Sequence, residues 1–515
     1  MENLRIQSRL ETVGHTFYTV HSCMRLFTLL MLLPLYSAAV EITGTVTVAV
    51  EGGEVLPGVE ASVPLKSAKV HLGLLEAENI YIYLEPTWST HTDADGRYFI
   101  DLGEDDPPWI VDYSIPYVLV VILESEDGAV AVYDNQLDAD YVACLSTASF
   151  QVANRGETQA DIQIKVLSNN DSSFTMPEGE FRPVEDRQTT FAGTTRCTEV
   201  ALAPQLALGF PQPYDPNGLT NSRPERFGHL AVHYARSYNA YEFVRDGLGN
   251  PGFVPVRVNT WDSFPDMAYG CDENTILMDA GNSYIFGPSA ASAVFDLRHE
   301  YGHHFMCASP ISGSGNLPPL PAGDRPHGGL ANSNSSDSWV EGFATYFAAA
   351  VAEFNSEDRP HEQRTATGML NLLHGGAVLD DPFTSGEQPT FGKFAEEFGI
   401  ASLLWDISVV SGSDALIGTL EMAVVNPTDF NRVYVSLKAD SATASLFDTL
   451  PCDFLDTGIT IFGLDCLFID RGFYHDLSSD GLYGAGEEVG RTRWPQALRE
   501  PTVFRPHLPQ LEGSI

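Results

Sequence analysis

The sequence predicts a multidomain chain in which an all-β sandwich precedes an α/β (α+β) domain that ends in a helical C-terminal lobe. Three observations predict it. The length of 515 residues exceeds the roughly 100 to 200 residues of one ordinary domain. From Val40 to about Val166, short alternating or β-branched runs are separated by Gly, Pro, Asp and Asn, the punctuation of strands and turns. From Ser289 onward the apolar residues recur at helical spacing instead.

Composition narrows the classes before any motif is read. Apolar residues make up 43% of the chain and aromatics 11%, enough to build packed cores and to exclude wholesale disorder. The formal net charge of -41 repels phosphate backbones and anionic lipid heads, which excludes nucleic acid as a partner. Only 5 of the 28 basic residues are Lys. That imbalance fits an acidic surface kept soluble in high salt, although the acids are spread along the chain as a solvated face rather than gathered into a tail.

At the amino end, residues 26–35 (LFTLLMLLPL) form a ten-residue apolar run after Met24 and Arg25, followed by Ser37, Ala38 and Ala39. This is the pattern of a signal peptide over 1–39, with translation starting at Met24, or at Met1 with a long basic region, and cleavage after Ala39. The run falls short of the ~20 apolar residues needed to span a bilayer, so a stable membrane anchor is not expected. A secreted or extracellular location, or the periplasm, follows. Without Cys23 the exported chain keeps Cys144, Cys197, Cys271, Cys307, Cys452 and Cys466, an even set suited to three disulfides in an oxidising compartment. Proximity favours Cys452 with Cys466, and the remaining pairing expected is Cys144 with Cys197 and Cys271 with Cys307.

The β unit, 40–166, contains TGTVTVAV, AKVHLGLL, IYIYLEP, RYFIDL, YVLVVIL and AVAVYD. Within it Thr92, Asp93, Ala94, Asp95, Gly96, Arg97, Tyr98 and Phe99 form a turn feeding a strand, with carboxylates capping the turn and Gly96 at positive φ. This stretch resembles the prealbumin-like, carboxypeptidase regulatory-like modules of secreted bacterial proteins, over roughly Glu41 to Glu126. Residues 167–225, rich in Ser, Asn, Pro and Thr, read as a linker with surface segments. A helix is expected at about Arg226 to Asp246, then strands at Val254 to Asn259 and Thr275 to Asp279, the second an edge that pairs with an extended peptide. The catalytic-type domain is set at 226–450 and a C-terminal extension at 451–515.

The chemistry-bearing motif lies on the helix that Ser289 caps. His299 and His303 are one turn apart, so both rings project from one face, and Glu300 sits beside the first. This is HExxH: two neutral imidazoles for Zn²⁺ and a glutamate placed to act as general base on an activated water. A catalytic zinc needs a third protein ligand. The metzincin extension would put Gly at 306 and His at 309, where the chain has Met306 and Ser309, so that class is excluded. A second helix begins at Ser338-Trp339-Val340-Glu341-Gly342-Phe343-Ala344-Thr345-Tyr346. Glu341, Ala344, Thr345 and Ala348 share a face small enough to press on the first helix, which makes Glu341 the expected ligand. Asp324 and His327, in the loop between, are rival ligands, and His304 points off the ligand face as a structural histidine.

With HExxH on one helix and EGFATY on the next, residues 270–420 resemble the gluzincins, the metallopeptidases that include thermolysin and aminopeptidase N. The resemblance includes GIASLLWDI at 399–407 as a helix of the C-terminal lobe. It implies His299, His303 and Glu341 as zinc ligands, Glu300 as general base and then acid, and Thr345 as a residue that orients a ligand histidine. Two departures stand out. The 37 residues between His303 and Glu341 are about twice the family's usual gap, a tolerable insertion in a surface loop. No tyrosine lies between Tyr346 and Tyr434, where the aminopeptidase branch places its oxyanion-stabilising Tyr, so that role is unassigned among His327, His374, Tyr474 and His475. Asp272, Glu273 and Asn274 echo the branch's amine-gripping motif. In HDLSSDGLYGAGEE, Asp476, Asp480, Glu487 and Glu488 are oxygen donors for Ca²⁺, although their spacing misses the EF-hand pattern and suits a solvated acidic turn.

The expected function is hydrolysis of peptide or protein substrates by a secreted zinc metallopeptidase. Two rivals stand beside it: an adhesion or carbohydrate-binding β-sandwich protein with a vestigial zinc site, and a zinc hydrolase acting on a non-peptide bond. The cysteine reading is directly testable. Mass mapping of the exported protein is expected to find all six thiols oxidised, with Cys271 joined to Cys307; six free thiols would overturn both the pairing and the compartment.

Overall fold

A computed structural model of the chain describes residues 40–50, 54–57, 62–76, 81–102, 117–134, 142–146, 150, 152, 156–166, 172–175, 224–261, 267–279, 288–309, 311, 335–365, 368–372, 377–379, 396–422, 430–448, 451–454 and 459–470. The signal segment, most of the linker, the loop bearing Asp324 and His327, His374, and the tail with Tyr474, His475, Asp476, Asp480, Glu487 and Glu488 lie outside them. β-sheets make up the N-terminal part and helices dominate the C-terminal part.

The N-terminal strands are β1 (Val40–Val50), β2 (Val63–Pro64), β3 (Lys69–Glu76), β4 (Tyr81–His91), β5 (Arg97–Asp101), β6 (Tyr117–Ile122), β7 (Val130–Asp134), β8 (Cys144–Ser146), β9 (Gly156–Gln159), β10 (Ile162–Val166) and β11 (Ser172–Thr175). One sheet is organised along β1, whose first half pairs with β5 and β9 and whose second half pairs with β2 and β10; β11 flanks β10. The other has the order β4-β3-β6-β8. Alternation along β1 buries Ile42, Val46, Val48 and Val50, and these join Val70, Leu72, Leu119 and Val121 of the second sheet in a single buried cluster. β6 is buried at every residue because its other face, Val118, Val120 and Ile122, packs on Ala131, Val142 and Cys144. A strand covered on both sides reads as a continuous apolar run. The DxDG turn forms as expected: Asp93 Oδ1 accepts from the amides of Asp95 and Arg97, both at 2.8 Å, and Gly96 has φ of 73°.

The C-terminal part opens with α1 (Pro224–Glu242), continued by a short π-helical turn, Phe243–Gly247, and then β12 (Val256–Trp261), β13 (Ala268–Gly270) and β14 (Thr275–Asp279). Two long helices follow, α2 (Pro288–Ala308) and α3 (Ser335–Phe354). A small sheet of β15 (Glu362–Thr365), β16 (Gly368–Asn371) and β17 (Ala377–Leu379) leads to the helices α4 (Glu396–Ser411), α5 (Ser413–Met422), α6 (Phe430–Ala439) and α7 (Ser441–Phe447). A hairpin of β18 (Pro451–Phe454) and β19 (Ile459–Phe462) and the short α8 (Leu464–Asp470) complete the described chain. α4 is apolar nearly all round, burying Ile400, Ala401, Leu403, Leu404 and Ile407, because it packs between α3 and the later helices.

Three placements differ from the sequence reading. The segment AVAVYD, grouped with the β unit, supplies β7, which pairs in parallel with β12, so the C-terminal sheet runs β13-β14-β12-β7. Thr275–Asp279 is not the edge strand: β12 lies on one side of it and β13 pairs antiparallel with it on the other, from Ala268 opposite Leu277 to Gly270 opposite Thr275. The edge is β13. Within the stretch read as linker, Ser172–Thr175 forms β11 against β10. The cysteines agree with the sequence as far as they are described. Cys271 and Cys307 are bonded, with Cα atoms 5.9 Å apart, inside the usual range for a disulfide. Cys144 and Cys466 are also disulfide-bonded. No single described helix is long and apolar enough to cross a membrane.

The two parts are joined by more than β7. α1 packs on β7, β10 and β11 as well as on β12 and α2. Lys66 Nζ meets Glu242 Oε2 at 2.7 Å, the Tyr234 hydroxyl donates to the Lys66 carbonyl at 3.1 Å, and Arg236 Nε donates to the Val55 carbonyl at 3.0 Å. Val130 and Val132 of β7 are fully buried, and each such side chain stabilises by roughly 1.5 to 3 kcal/mol. A chain starting at Arg226 exposes the outer edge of β12 and that apolar surface. It is expected to show no cooperative melting transition by circular dichroism and to be digested readily in limited proteolysis, whereas the chain starting at Val40 resists. Equal protease resistance of the two would show that the C-terminal part stands alone.

Candidate metal centre

α2 and α3 cross where their side chains are smallest. A Cβ added at Gly302 would lie 2.8 Å from Ala344 Cα and 3.2 Å from Ala344 Cβ, so only glycine allows the helices to approach this closely. On either side of that point Phe305 stacks on Phe343 and Phe347, and Tyr301 on Phe347. The apolar contact fixes the pair of helices and leaves the polar residues of both on the adjoining face.

There the structure brings together the ligands expected from the sequence. His299 Nε2 is 2.9 Å from Glu341 Oε2, His303 Nε2 is 3.1 Å from His299 Nε2, and His303 Nε2 is 3.5 Å from Glu341 Oε2. Glu300 also belongs to the group: His299, Glu300 and His303 offer ligand atoms within 4.8 Å of one another. Thr345 Oγ1 lies 3.2 Å from His299 Nδ1. If Nδ1 carries the proton and donates to that hydroxyl, the Nε2 lone pair is left free and aimed at the common point. Among the described residues His303 Nδ1 is buried without a hydrogen-bond partner.

The donor set fits a divalent cation. Three electron-rich atoms crowd one point, and a single proton serves only one of the contacts between them, whereas a metal ion serves all three. Tetrahedral zinc with ligands at about 2.0 to 2.1 Å places those ligands about 3.3 to 3.4 Å apart, close to the observed separations. The side chains are nearly closed off, with 15%, 8% and 14% of His299, His303 and Glu341 exposed, which leaves an open side toward solvent. Burial pushes the Glu341 carboxyl up, but its interactions with His303 and His299 outweigh it and hold the group well below the usual carboxylate range. Glu341 is therefore an anion at neutral pH, as a ligand must be.

His304 takes the structural role expected of it. It is fully buried, with Nε2 2.9 Å from the Val254 carbonyl and Nδ1 2.9 Å from the Tyr269 hydroxyl. Burial pushes it down to about 4, against the smaller opposing effect of the Val254 carbonyl. The neutral ring ties α2 to the edge strand β13 through Tyr269, and the Cys271–Cys307 bond ties the same helix to the short turn that follows β13. Asp272 and Glu273 are exposed on the short turn before β14, and Asn274 takes a left-handed conformation with φ of 50°. Sequence reading missed Arg298, a fully buried cation next to His299. No local signal set it apart, since another charged residue, Asp296, stands two residues before it on the same helix.

Comparison with known proteins finds no family model that matches the chain and no curated protein that matches it. The close approach of the helices gives a test of the geometry. Gly302→Ala forces its methyl against the backbone of α3 and is expected to cost about 1 to 3 kcal/mol, read as a lowered denaturation midpoint. Unchanged stability would mean that the helices are not held this close.

Proposed function

We propose that the protein is a secreted zinc metallopeptidase of gluzincin plan, hydrolysing peptide or protein substrates, with its N-terminal sheets forming a carboxypeptidase regulatory-like sandwich. One observation carries the reading: the convergence of His299 Nε2, His303 Nε2 and Glu341 Oε2 from two helices, with separations of 2.9, 3.1 and 3.5 Å. Glu300 beside them and Thr345 behind His299 supply the remaining parts of an HExxH site. The Cys271–Cys307 bond supports an exported chain, since disulfides persist in oxidising compartments.

His299, His303 and Glu341 would hold the ion. Zn²⁺, when bound, supplies Lewis-acid polarisation of the scissile carbonyl and acidifies a water. Glu300, which is not a ligand in this scheme, takes the proton from the attacking water and returns it to the leaving amine. Thr345 keeps His299 in the tautomer whose Nε2 is free. Glu341 contributes negative charge at the ion, and its position on α3 makes the site depend on the packing of the two helices. The neutral His304 holds β13 against α2, so an edge strand lies alongside the helix that carries the chemistry.

Two measurements test the reading. Metal analysis of the purified protein is expected to find one zinc per chain, and Glu341→Ala to lose most of it; unchanged zinc in that variant would move the third ligand elsewhere, with Asp324 and His327 as the first alternatives. Glu300→Gln keeps the shape of the side chain but cannot accept the proton. Cleavage of a mixed peptide library is expected to fall by about 10² to 10⁴-fold with zinc retained. Wild type that cleaves nothing would favour the adhesion reading, and zinc-dependent hydrolysis of a non-peptide bond alone would favour the third.

A further inference from the structure

Arg298 sits in the middle of α2, fully buried, one residue before His299. Successive helix residues differ by about 100° in direction, so its side chain leaves the helix on a different face from the metal-facing imidazole. The guanidinium is gripped from two sides. Nη1 donates to Glu357 Oε2 at 3.0 Å, Nη2 donates to Glu357 Oε1, and Nη2 also donates to Asn239 Oδ1 at 3.0 Å. Glu357 follows the end of α3, and its amide bonds back to the Ala352 carbonyl at 3.0 Å, so it moves with that helix. Asn239 belongs to α1. Its side-chain amide is paired both ways with Asn355, at 2.8 and 3.0 Å, and Asn355 in turn donates to the Val351 carbonyl of α3 at 2.7 Å.

One planar cation therefore joins the helix of His299 and His303, the helix of Glu341, and α1. A bidentate guanidinium-carboxylate pair has a narrow angular preference, so it restricts both the rotation of α2 and its slide along α3. Stability alone is a weak reason for such a pair, because a buried ion pair is often replaceable by apolar side chains without loss. Ligand placement is a stronger one, since metal sites tolerate errors of only about 0.2 Å in their distances. We propose that Arg298 is a positioning residue, and that its fork with Glu357 and Asn239 sets the alignment of α2 against α3 that brings His299 and His303 to Glu341. The proposal rests on the metallopeptidase reading and deepens it.

The test compares full-length wild type, Arg298→Lys, and the double variant Arg298→Met with Glu357→Met, which removes both charges so that neither is left buried alone. Three quantities are read: melting temperature, zinc affinity by chelator competition, and the visible spectrum of the Co²⁺-substituted protein. The double variant is expected to melt near wild type, to bind zinc at least about tenfold more weakly, and to show an altered cobalt spectrum, with Arg298→Lys intermediate. A double variant that keeps wild-type affinity and spectrum overturns the proposal. Should the double variant fail to fold, Arg298→Lys decides: weakened zinc binding supports positioning, and wild-type affinity and spectrum overturn it. Wild type that binds no zinc would sink the metal reading and this assignment together, whereas zinc-binding wild type with unchanged variants sinks the positioning role alone.

Discussion

The approach of α2 and α3 at Gly302 and Ala344 is the constraint on which the C-terminal part depends. Helices pack with axes about 8 to 10 Å apart according to the side chains between them, and the 2.8 Å clearance at Gly302 belongs to the close end of that range. Glutamate reaches only a short way from its helix. With bulkier residues at the crossing, Glu341 would face His299 and His303 across a gap wide enough for water, and the three groups would be hydrated separately. Close packing turns them into one electrostatic unit, in which the Glu341 carboxylate makes the point between the two imidazoles attractive to a cation.

The parts of this site that were legible in the sequence are those governed by helical periodicity. His299 and His303 are one turn apart and so are Glu341 and Thr345, and α2 and α3 place each pair on one face, with Thr345 Oγ1 3.2 Å from His299 Nδ1. The small residues Ala344 and Ala348 signalled a close crossing, although Gly302, hidden inside the motif itself, is the residue that permits it. Arg298 was not legible because nothing local distinguishes a buried arginine from a solvated one; Asn239 and Glu357 lie 59 residues away on either side.

Strand partners were the least legible feature, and for a comparable reason. AVAVYD has the composition of a strand wherever it pairs, and the run of strands before it made the N-terminal sheet the natural destination. Its register with β12, from Val256 opposite Val130 to Thr260 opposite Asp134, is a long-range choice that alternation does not encode. The same holds for β13, three residues long and too short to carry a periodic signal, yet placed outside Thr275–Asp279 as the sheet's edge. Helix α1 shows why these choices are mutually consistent: its polar contacts to Lys66 and Val55 and its packing on α2 hold the strands of both parts around one continuous core.

The pairing of β7 with β12 also sets an order of events in biosynthesis. Val130 is made well before its partner Val256, and at chain elongation of about 5 to 20 residues per second the delay is on the order of 6 to 25 s. Throughout that interval β7 lacks its strand partner β12 and presents an open edge, the kind of surface that recruits other chains. The acidic composition of the chain opposes such encounters between identical nascent chains. Charge repulsion and delayed strand pairing thus act on the same hazard, one by keeping copies apart and the other by ending the exposure when Val256 arrives.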